Sequence, residues 1–504
     1  MWRAGLFILW AAIADAQSIR GVFHGASFVP AQLDGLAPGS RFAILGDVLP
    51  ADKSQVEVAV QGQLVPVLEA AADRIVAVLP AATAVGVAQI QIRIGNRVTS
   101  PIPVLVVERR PGVFTVSNDG RGSADAKVDD QRIGFLSPAG AGQTVTLRAT
   151  GVGAGEPEIR VRVGKSEAVA ATVSRPEDAP GIDEIRFVMP ETNEPGCYVP
   201  IIVRIGDAES VPVTIAREKC EHPLNLSEDA LRRLDAGELI GLGQLALESS
   251  AVDNGGQTVR QDVATASFLK VNGGELYEFA GLDLETLAAL PDSCKVTQQV
   301  VFAQEAIAGD IEFGGVDTPL SRRLDAGPSL RLTGPAGAVT LDRSQFRTYG
   351  RAVTIPDGDW TFTGPGSSQM GEFTASLNVG RRITWDQAFA SLIDVREPLT
   401  LNWQVSGEFD RESLIVNGQA RALIDRNFGV VTAFSCVAPV KAGTFTIPKA
   451  VIEKLPPAQV QAGILQLSLF LGPQASDARF AAGEIDAGMF TRQFVLAKSR
   501  FYRN

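Results

Sequence analysis

Only two histidines, His24 and His222, are available for proton transfer in this chain of 504 residues. A Ser-His-Asp set needs an imidazole that orients and shuttles protons. Neither histidine lies beside a nucleophile elbow, and no G-x-S-x-G is present. His24 falls just before the opening strand of the mature chain and His222 in the linker after Cys220, so both read as surface or turn residues and no catalytic residue is assigned. Glycine-rich phosphate loops fare no better. Gly151-Val152-Gly153-Ala154-Gly155 is followed by Glu156 and precedes strands rather than a helix N-terminus, so it reads as a turn. Gly364-Pro365-Gly366-Ser367-Ser368 lacks the lysine of a Walker loop.

Among 57 acidic residues, one grouping places two carboxylates beside an indole: Asp357-Gly358-Asp359-Trp360. Such a set suits a sugar or a calcium ion; its ordinary reading is a type I′-like hairpin turn leading into a strand. Asn118 to Gly122 with Asp125 lacks the terminal glutamate and spacing of an EF-hand loop. Five tryptophans and four tyrosines are few for a sugar-stacking surface. Trp360, Trp385 and Trp403 all fall in the C-terminal half, where Trp360 and Trp403 sit in strand patterns that favour the core. A ligand surface, if the chain has one, is expected at Trp360, Asp357 and Asp359. The four cysteines, Cys197, Cys220, Cys294 and Cys436, have no C-x-x-C spacing, which excludes zinc-finger, haem c and redox-dithiol readings. No metal or cofactor is assigned.

The elements around these residues are mostly strands. Arg3 precedes an apolar run, Leu6 to Ile13, and Ala14-Asp15-Ala16 fits a signal-peptidase site, so residues 1–16 read as a signal peptide. The run is too short to span a bilayer, and no later stretch reads as a membrane helix. The mature chain is therefore expected to be secreted, periplasmic or extracellular, after cleavage near Ala16. Its 45% hydrophobic content supplies real cores, and 50 glycines and 29 prolines suit many short strands and turns. A net charge of −11 argues against nucleic acid as a partner.

Residues 17–108 alternate as strands, for example Val56-Glu57-Val58-Ala59-Val60 and Ile90-Gln91-Ile92-Arg93-Ile94, in the manner of a β-sandwich. Residues 112–217 repeat the plan: Ala77-Val78-Leu79-Pro80 matches Phe187-Val188-Met189-Pro190, Ile92 to Gly95 matches Val203 to Gly206, and Pro103-Val104 matches Pro212-Val213. Ordered recurrence at a spacing of about 110 residues indicates tandem duplication, joined by a short stiff linker, Glu108 to Gly112. Ala26-Ser27-Phe28, Leu36-Ala37-Pro38-Gly39-Ser40 and Ile44-Leu45-Gly46 resemble the start of an IPT/TIG-type immunoglobulin-like module. Pro111-Gly112-Val113-Phe114-Thr115, Val145 to Gly153, Gly196-Cys197-Tyr198-Val199-Pro200 and Cys220 resemble the exits and second modules of uncharacterised secreted bacterial proteins. The resemblance covers roughly residues 17–220 and implies spacers, ectodomains or enzyme accessories rather than a single activity.

Past Cys220 the pattern changes. Ser227 to Leu234 reads as a capped helix, Asp283 to Leu290 as a second and Pro448 to Leu455 as a brief third. Residues 222–318 read as a mixed β-rich region with short helices and 319–504 as a β-sandwich-like domain, with strands such as Val263–Val271, Trp360–Thr363 and Ile464–Phe470. The hexamer Arg232 to Gly237 recurs as Arg322 to Gly327 with unlike flanks. The expected fold class is all-β: tandem immunoglobulin-like sandwiches followed by a larger β-rich unit. The expected function is a non-catalytic extracellular structural or interaction protein whose partner, a protein or a polysaccharide, the sequence does not name. The alternative is a secreted polysaccharide-acting enzyme with the modules as accessories. Oligomeric state is not encoded in any pattern read here.

Four cysteines permit three pairings. An antiparallel return from Val199–Ile205 through Gly206 to Val211–Ile215 carries Cys220 back beside Cys197, which leaves Cys294 for Cys436. Loop entropy assigns about 3 kcal/mol to the short bridge and about 5 kcal/mol to the long one. Peptide mapping of non-reduced protein is expected to yield these two linked pairs; a peptide joining Cys197 to Cys294 or Cys436 would contradict them.

Overall fold

The alternation written in the sequence becomes pleated strands with one buried face. In the computed structural model, Val56, Val58 and Val60 are buried while Glu57 faces out, and Ile159, Val161 and Val163 are buried while Arg160 faces out. Described are residues 18–191, 196–254, 257–282, 294–302, 320–390, 392–394, 396–409, 412–423, 428–456, 463–474 and 477–503. The expected signal peptide and the expected helix at 283–290 lie outside them.

The first module contains β1 (Ser18–His24), α1 (Ala31–Asp34), β2 (Arg41–Asp47), β3 (Val56–Val60), β4 (Gln63–Val65) and β5 (Val67–Ala70). It continues with β6 (Arg74–Val78), β7 (Gly86–Ile94), β8 (Arg97–Val98) and β9 (Ile102–Val106). One sheet runs β1-β2-β6-β5, the other β4-β3-β7 with β8 and β9 both on β7. The second module contains β10 (Gly112–Val113), β11 (Ala126–Val128), β12 (Gln131–Arg132), β13 (Thr144–Thr150) and β14 (Ile159–Val163). It continues with β15 (Ser166–Ser174), β16 (Asp183–Val188), β17 (Gly196–Ile205), β18 (Ala208–Glu209) and β19 (Val213–Arg217). Its strands run β11-β13-β16-β15 on one side and β15-β14-β17 with β18 and β19 on the other, the same order as in the first module. The duplicated turn is reproduced in detail: Gly95 and Gly206 hold matching left-handed φ of 56° and 59° between β7 and β8 and between β17 and β18. The modules differ where Pro66 separates β4 from β5, because proline has no N–H for a ladder. The corresponding β15 runs unbroken from one sheet to the other.

Beyond Cys220 come α2 (Glu228–Asp235), β20 (Ile240–Asp253), β21 (Thr258–Val271), α3 (Gly273–Phe279) and β22 (Cys294–Phe302). The Ser227 hydroxyl accepts from Ala230 N and caps α2 as expected. Then follow β23 (Ser329–Gly334), β24 (Gly337–Asp342), β25 (Thr348–Ala352), β26 (Gly358–Gly364), β27 (Phe373–Val379), β28 (Arg382–Thr384) and β29 (Leu392–Asp394). The chain continues with β30 (Leu399–Asn402), β31 (Gln404–Ser406), β32 (Ser413–Leu423), β33 (Phe428–Pro439), β34 (Thr444–Ile447) and α4 (Lys449–Ile452). It closes with β35 (Gly463–Leu471), β36 (Ala478–Ala482) and β37 (Ile485–Arg503). A ten-stranded sheet has the order β22-β33-β32-β35-β37-β20-β21-β25, with β29 and β36 also on β37. This one sheet takes strands from both sides of residue 318, so the expected internal boundary there does not separate two sheets. The reason is pairing across distance: β20 lies parallel to β37, Leu242 opposite Ala487 through Asp253 opposite Lys498. A second sheet, β24-β23-β26-β27, covers part of it, and Trp360, Phe362, Phe268 and Phe490 fill the core between them.

Both disulfides form as expected, Cys197 with Cys220 and Cys294 with Cys436. Cys294 stands directly opposite Cys436 where β22 pairs with β33.

The linker is seated rather than loose. Arg110 N–H donates to Gly151 O at 2.9 Å, and a Cβ on Gly151 would stand 1.8 Å from Arg110 O. Gly151 also holds φ +84°, a conformation costly for other residues. Gly151→Ala is expected to destabilise the protein by about 1–3 kcal/mol, read as a lower urea midpoint. An unchanged midpoint would mean that the linker does not need this close approach.

Candidate functional site

The two histidines are not surface residues. His24 closes β1 and is 1% exposed, and His222 is 6% exposed. Each pins a joint. The His24 Nδ1 accepts from Ala26 N and Ser27 N, both at 3.3 Å, so Nε2 carries the proton and donates to Arg110 O in the linker at 3.1 Å. Around it, Arg41 N donates to Thr150 Oγ1 at 2.9 Å and Arg41 Nε to Pro180 O at 2.8 Å. The Arg41 and Arg148 guanidiniums both approach the Phe114 ring, 5.9 and 5.8 Å from its centroid. At the second joint, His222 Nδ1 accepts from Leu224 N at 3.2 Å and Nε2 meets the Tyr198 hydroxyl at 2.8 Å. The rings of Phe135, Tyr198, His222 and Tyr277 meet there in tilted and edge-to-face contacts. Asp235, at the end of α2, accepts from Phe135 N and Leu136 N of the second module at 2.8 and 3.2 Å. Sequence patterns identified the junctions but not these pins, because burial of a lone histidine depends on a neighbouring module.

The expected ligand surface at Trp360, Asp357 and Asp359 is not one surface. Trp360 is 2% exposed, with its indole N–H donating to Pro356 O at 3.1 Å, so it has no free face for a sugar. Trp385 and Trp403 are buried as well. Nor is Asp357-Gly358 a hairpin turn: it leads from β25 in the large sheet to β26 in the smaller one, whose antiparallel partners are β23 and β27. Asp359 accepts from Asn378 Nδ2 at 2.6 Å on the surface. Asp357 borders a groove, where it pairs with Arg382 at 2.9 Å.

That groove, of about 300 Å³, lies across the face of the large sheet. Register explains its floor. Ser249 lies opposite Asp262 on β21 and Phe494 on β37, and Ala251 opposite Arg260 and Leu496. Alternation on β37 therefore aims Arg492, Phe494, Leu496 and Lys498 to one side. Arg492 donates to Leu247 O at 2.8 Å and Ser249 Oγ at 2.7 Å, and its guanidinium lies 4.3 Å from the Phe494 centroid. The Ser249 hydroxyl donates to Asp262. Burial pushes the Arg492 pKa down to about 10, with Asp262 opposing the shift and Arg382 adding to it. Arg381 borders the groove and turns away to pair with Glu412 and, at 3.7 Å, with Asp477, whose pKa burial raises to about 6. A smaller cavity of about 60 Å³ continues the groove past Arg260 toward Trp385, Asp253 and Lys498. Among the described residues, no three His, Cys, Asp or Glu side chains gather as a metal site, and no helix is long and apolar enough to cross a membrane. The groove was missed by motif reading; its one signal is the alternation Arg492, Phe494, Leu496, Lys498, Arg500.

No family model matches the chain, and no curated protein matches it. Solved structures that resemble it include the Bacteroides ovatus mixed-linkage glucan utilization locus SGBP-B in complex with a mixed-linkage heptasaccharide. That match has 12% identity and a TM-score of 0.14, over 84% of this chain and 99% of that one. Domains 5–6 of the S-layer protein SbsC match at 14% identity and a TM-score of 0.19, over 40% of this chain and 97% of that one. Titin domains A168–A170 match at 7% identity and a TM-score of 0.14, over 72% and 93%. At these scores the likenesses carry no argument about function.

The neutral histidines make the joints acid-sensitive. Burial lowers both pKa values to about 4, whereas an unfolded imidazole titrates near ~6.5. Below about pH 6.5 the unfolded chain takes up protons that the folded joints refuse. Stability present above that pH is thus lost as pH falls toward 4, by up to about 3 kcal/mol per ring. Urea midpoints between about pH 7 and about pH 4.5 are expected to fall less in His222→Gln than in the wild type. An equal fall would place the acid sensitivity elsewhere.

Proposed function

We propose that the chain is exported after cleavage near Ala16 and acts as a non-catalytic structural or interaction protein. In this reading, IPT/TIG-type modules at 17–108 and 112–217 hold the unit at 222–504 at a fixed distance and orientation, and its groove engages the partner. The observation that carries the proposal is the construction of the joints. Domains linked only for convenience meet through small, polar, mobile interfaces. Here the first joint buries His24 under linker and module contacts. The second has a core of its own, with Phe135 and Tyr198 packed against Leu226, Leu234, Leu276 and Tyr277. Ordering so many groups at two junctions fits a protein whose task is spacing and presentation. The two disulfides support an oxidising compartment. The neutral histidines, committed to joints, leave the proton-shuttling role to no imidazole of the described residues.

Small-angle X-ray scattering on the mature protein is expected to fit one rigid arrangement, and incubation with soluble polysaccharides to release no new reducing ends. A scattering profile that needs a mixture of bent and straight forms would remove the spacing role. Polysaccharide cleavage by the purified chain would replace a binding protein with an enzyme.

A further inference from the structure

We propose that the groove on the large sheet binds a carboxylate-bearing sugar of an anionic polysaccharide, with Arg260 as the group that receives the carboxylate; this rests on the reading of the groove as the partner site. The argument is a charge inventory. Arg382 is matched by Asp357 at 2.9 Å. Arg381 is matched by Glu412 and Asp477 outside the groove. Arg492 is held by Leu247 O and Ser249, with Asp262 on the same serine. Arg260 is exposed and, among the described residues, has neither an ion pair nor a hydrogen bond to its guanidinium. A protein of net charge −11 thus keeps one lining cation without an internal partner. A guanidinium offers paired donors that fit a carboxylate in a bidentate contact.

Position and lining point to a sugar. Arg260 borders both the groove and its smaller continuation, so a bound anion sits midway along the channel. The floor beside it is apolar, with Ile383, Phe494 and Leu496 buried. The rim supplies Thr384, a hydroxyl suited to a polyhydroxylated ring, beside the hydrogen-bonded Ser249–Asp262 pair. About 300 Å³ is at the small end of ligand sites, the scale of a sugar unit rather than a folded partner. A peptide would bind best by adding a strand. The inner floor strands refuse that mode, β20 being hydrogen-bonded to β21 and β37 and β37 to β20 and β35, whereas β21 is covered by β25 only over Val263–Ser267, so a peptide polyanion is one arm of the test.

Affinity measurements with the full mature chain would use polygalacturonate, its fully methyl-esterified form and poly-glutamate. Binding is expected for polygalacturonate alone, weakened at least about tenfold by Arg260→Ala, partly restored in Arg260→Lys and unchanged by Lys127→Ala on the second module. Equal binding of the esterified polymer, equal binding of poly-glutamate, no binding of polygalacturonate, or no difference between Arg260→Ala and Lys127→Ala would each overturn the assignment. Binding of a neutral polysaccharide that ignores Arg260→Ala would overturn it while leaving the binding role intact. Release of reducing ends would instead overturn the non-catalytic reading.

Discussion

The C-terminal half depends on one strand finding two partners. β37 lies parallel to β20, from which it is separated by some 230 residues of chain, and antiparallel to β35. The other strands of the ten-stranded sheet are ordered by reference to that strand: β21 and β25 lie outside β20, β32, β33 and β22 lie outside β35, and β29 and β36 pair with β37 itself. Until the last residues are in place, β20 has an open edge and the core around Leu245, Phe268 and Phe490 lacks a wall. Pairings this distant in sequence carry a large loop-closure entropy and fold slowly. The Cys294–Cys436 bridge acts on the far side of the same sheet, where it fixes β22 to β33 and restricts the unfolded chain across 142 residues.

The joints extend this constraint to the whole molecule. A histidine at an interface is ordinarily a candidate switch, because its charge changes near neutral pH. At both joints the surroundings remove that freedom. Nδ1 already accepts backbone N–H groups, so a second proton would face donors rather than acceptors. Burial adds the larger penalty. Each imidazole therefore works as a neutral bracket: His24 ties the first module to the linker at Arg110, and His222 ties the segment after the second module back to Tyr198. The carboxylate of Asp235 does related work at the second joint by satisfying two backbone donors of the neighbouring module.

Much of the architecture was legible because β-sandwiches write their burial pattern locally. The alternation in Val56–Val60 or Ile159–Val163 is the pleat itself, and the recurrence of Pro80 and Gly95 as Pro190 and Gly206 marked equivalent turns in two modules of one strand order. The Cys197–Cys220 bridge followed from a single hairpin. Pairing between distant strands was not legible, which is why residue 318 looked like a boundary. The hexamer shared by Arg232–Gly237 and Arg322–Gly327 shows the limit well. The first copy follows Ser227, Glu228 and Asp229, a capped acidic first turn, and closes a helix. The second has no such start, begins in a short 3₁₀ turn and runs on without a helix to Pro328. Identical residues take the structure that their flanks permit.

The groove was illegible for a related reason: its residues belong to five strands and the loop that carries Asp357, and meet only through pairing and packing between segments distant in sequence. Yet the strand that makes it carries a physical anomaly. A sheet face turned toward a core should be apolar, whereas β37 sends Arg492, Lys498 and Arg500 to the same side as Phe494 and Leu496. Buried cations are costly unless matched, and here each is matched by fixed groups. Arg492 has carbonyl, hydroxyl and ring contacts, while Lys498 and Arg500 share Asp253. A purely structural sheet would reach the same packing with aliphatic residues at lower desolvation cost. The charged row instead runs beside an apolar strip, Phe494 and Leu496, and with the loop that carries Asp357 borders the groove in which Arg260 stands unpaired among the described residues. The buried contacts of the joints and the groove beside a charged row are thus complementary features of the proposed role, since a small site gains from being held in one orientation.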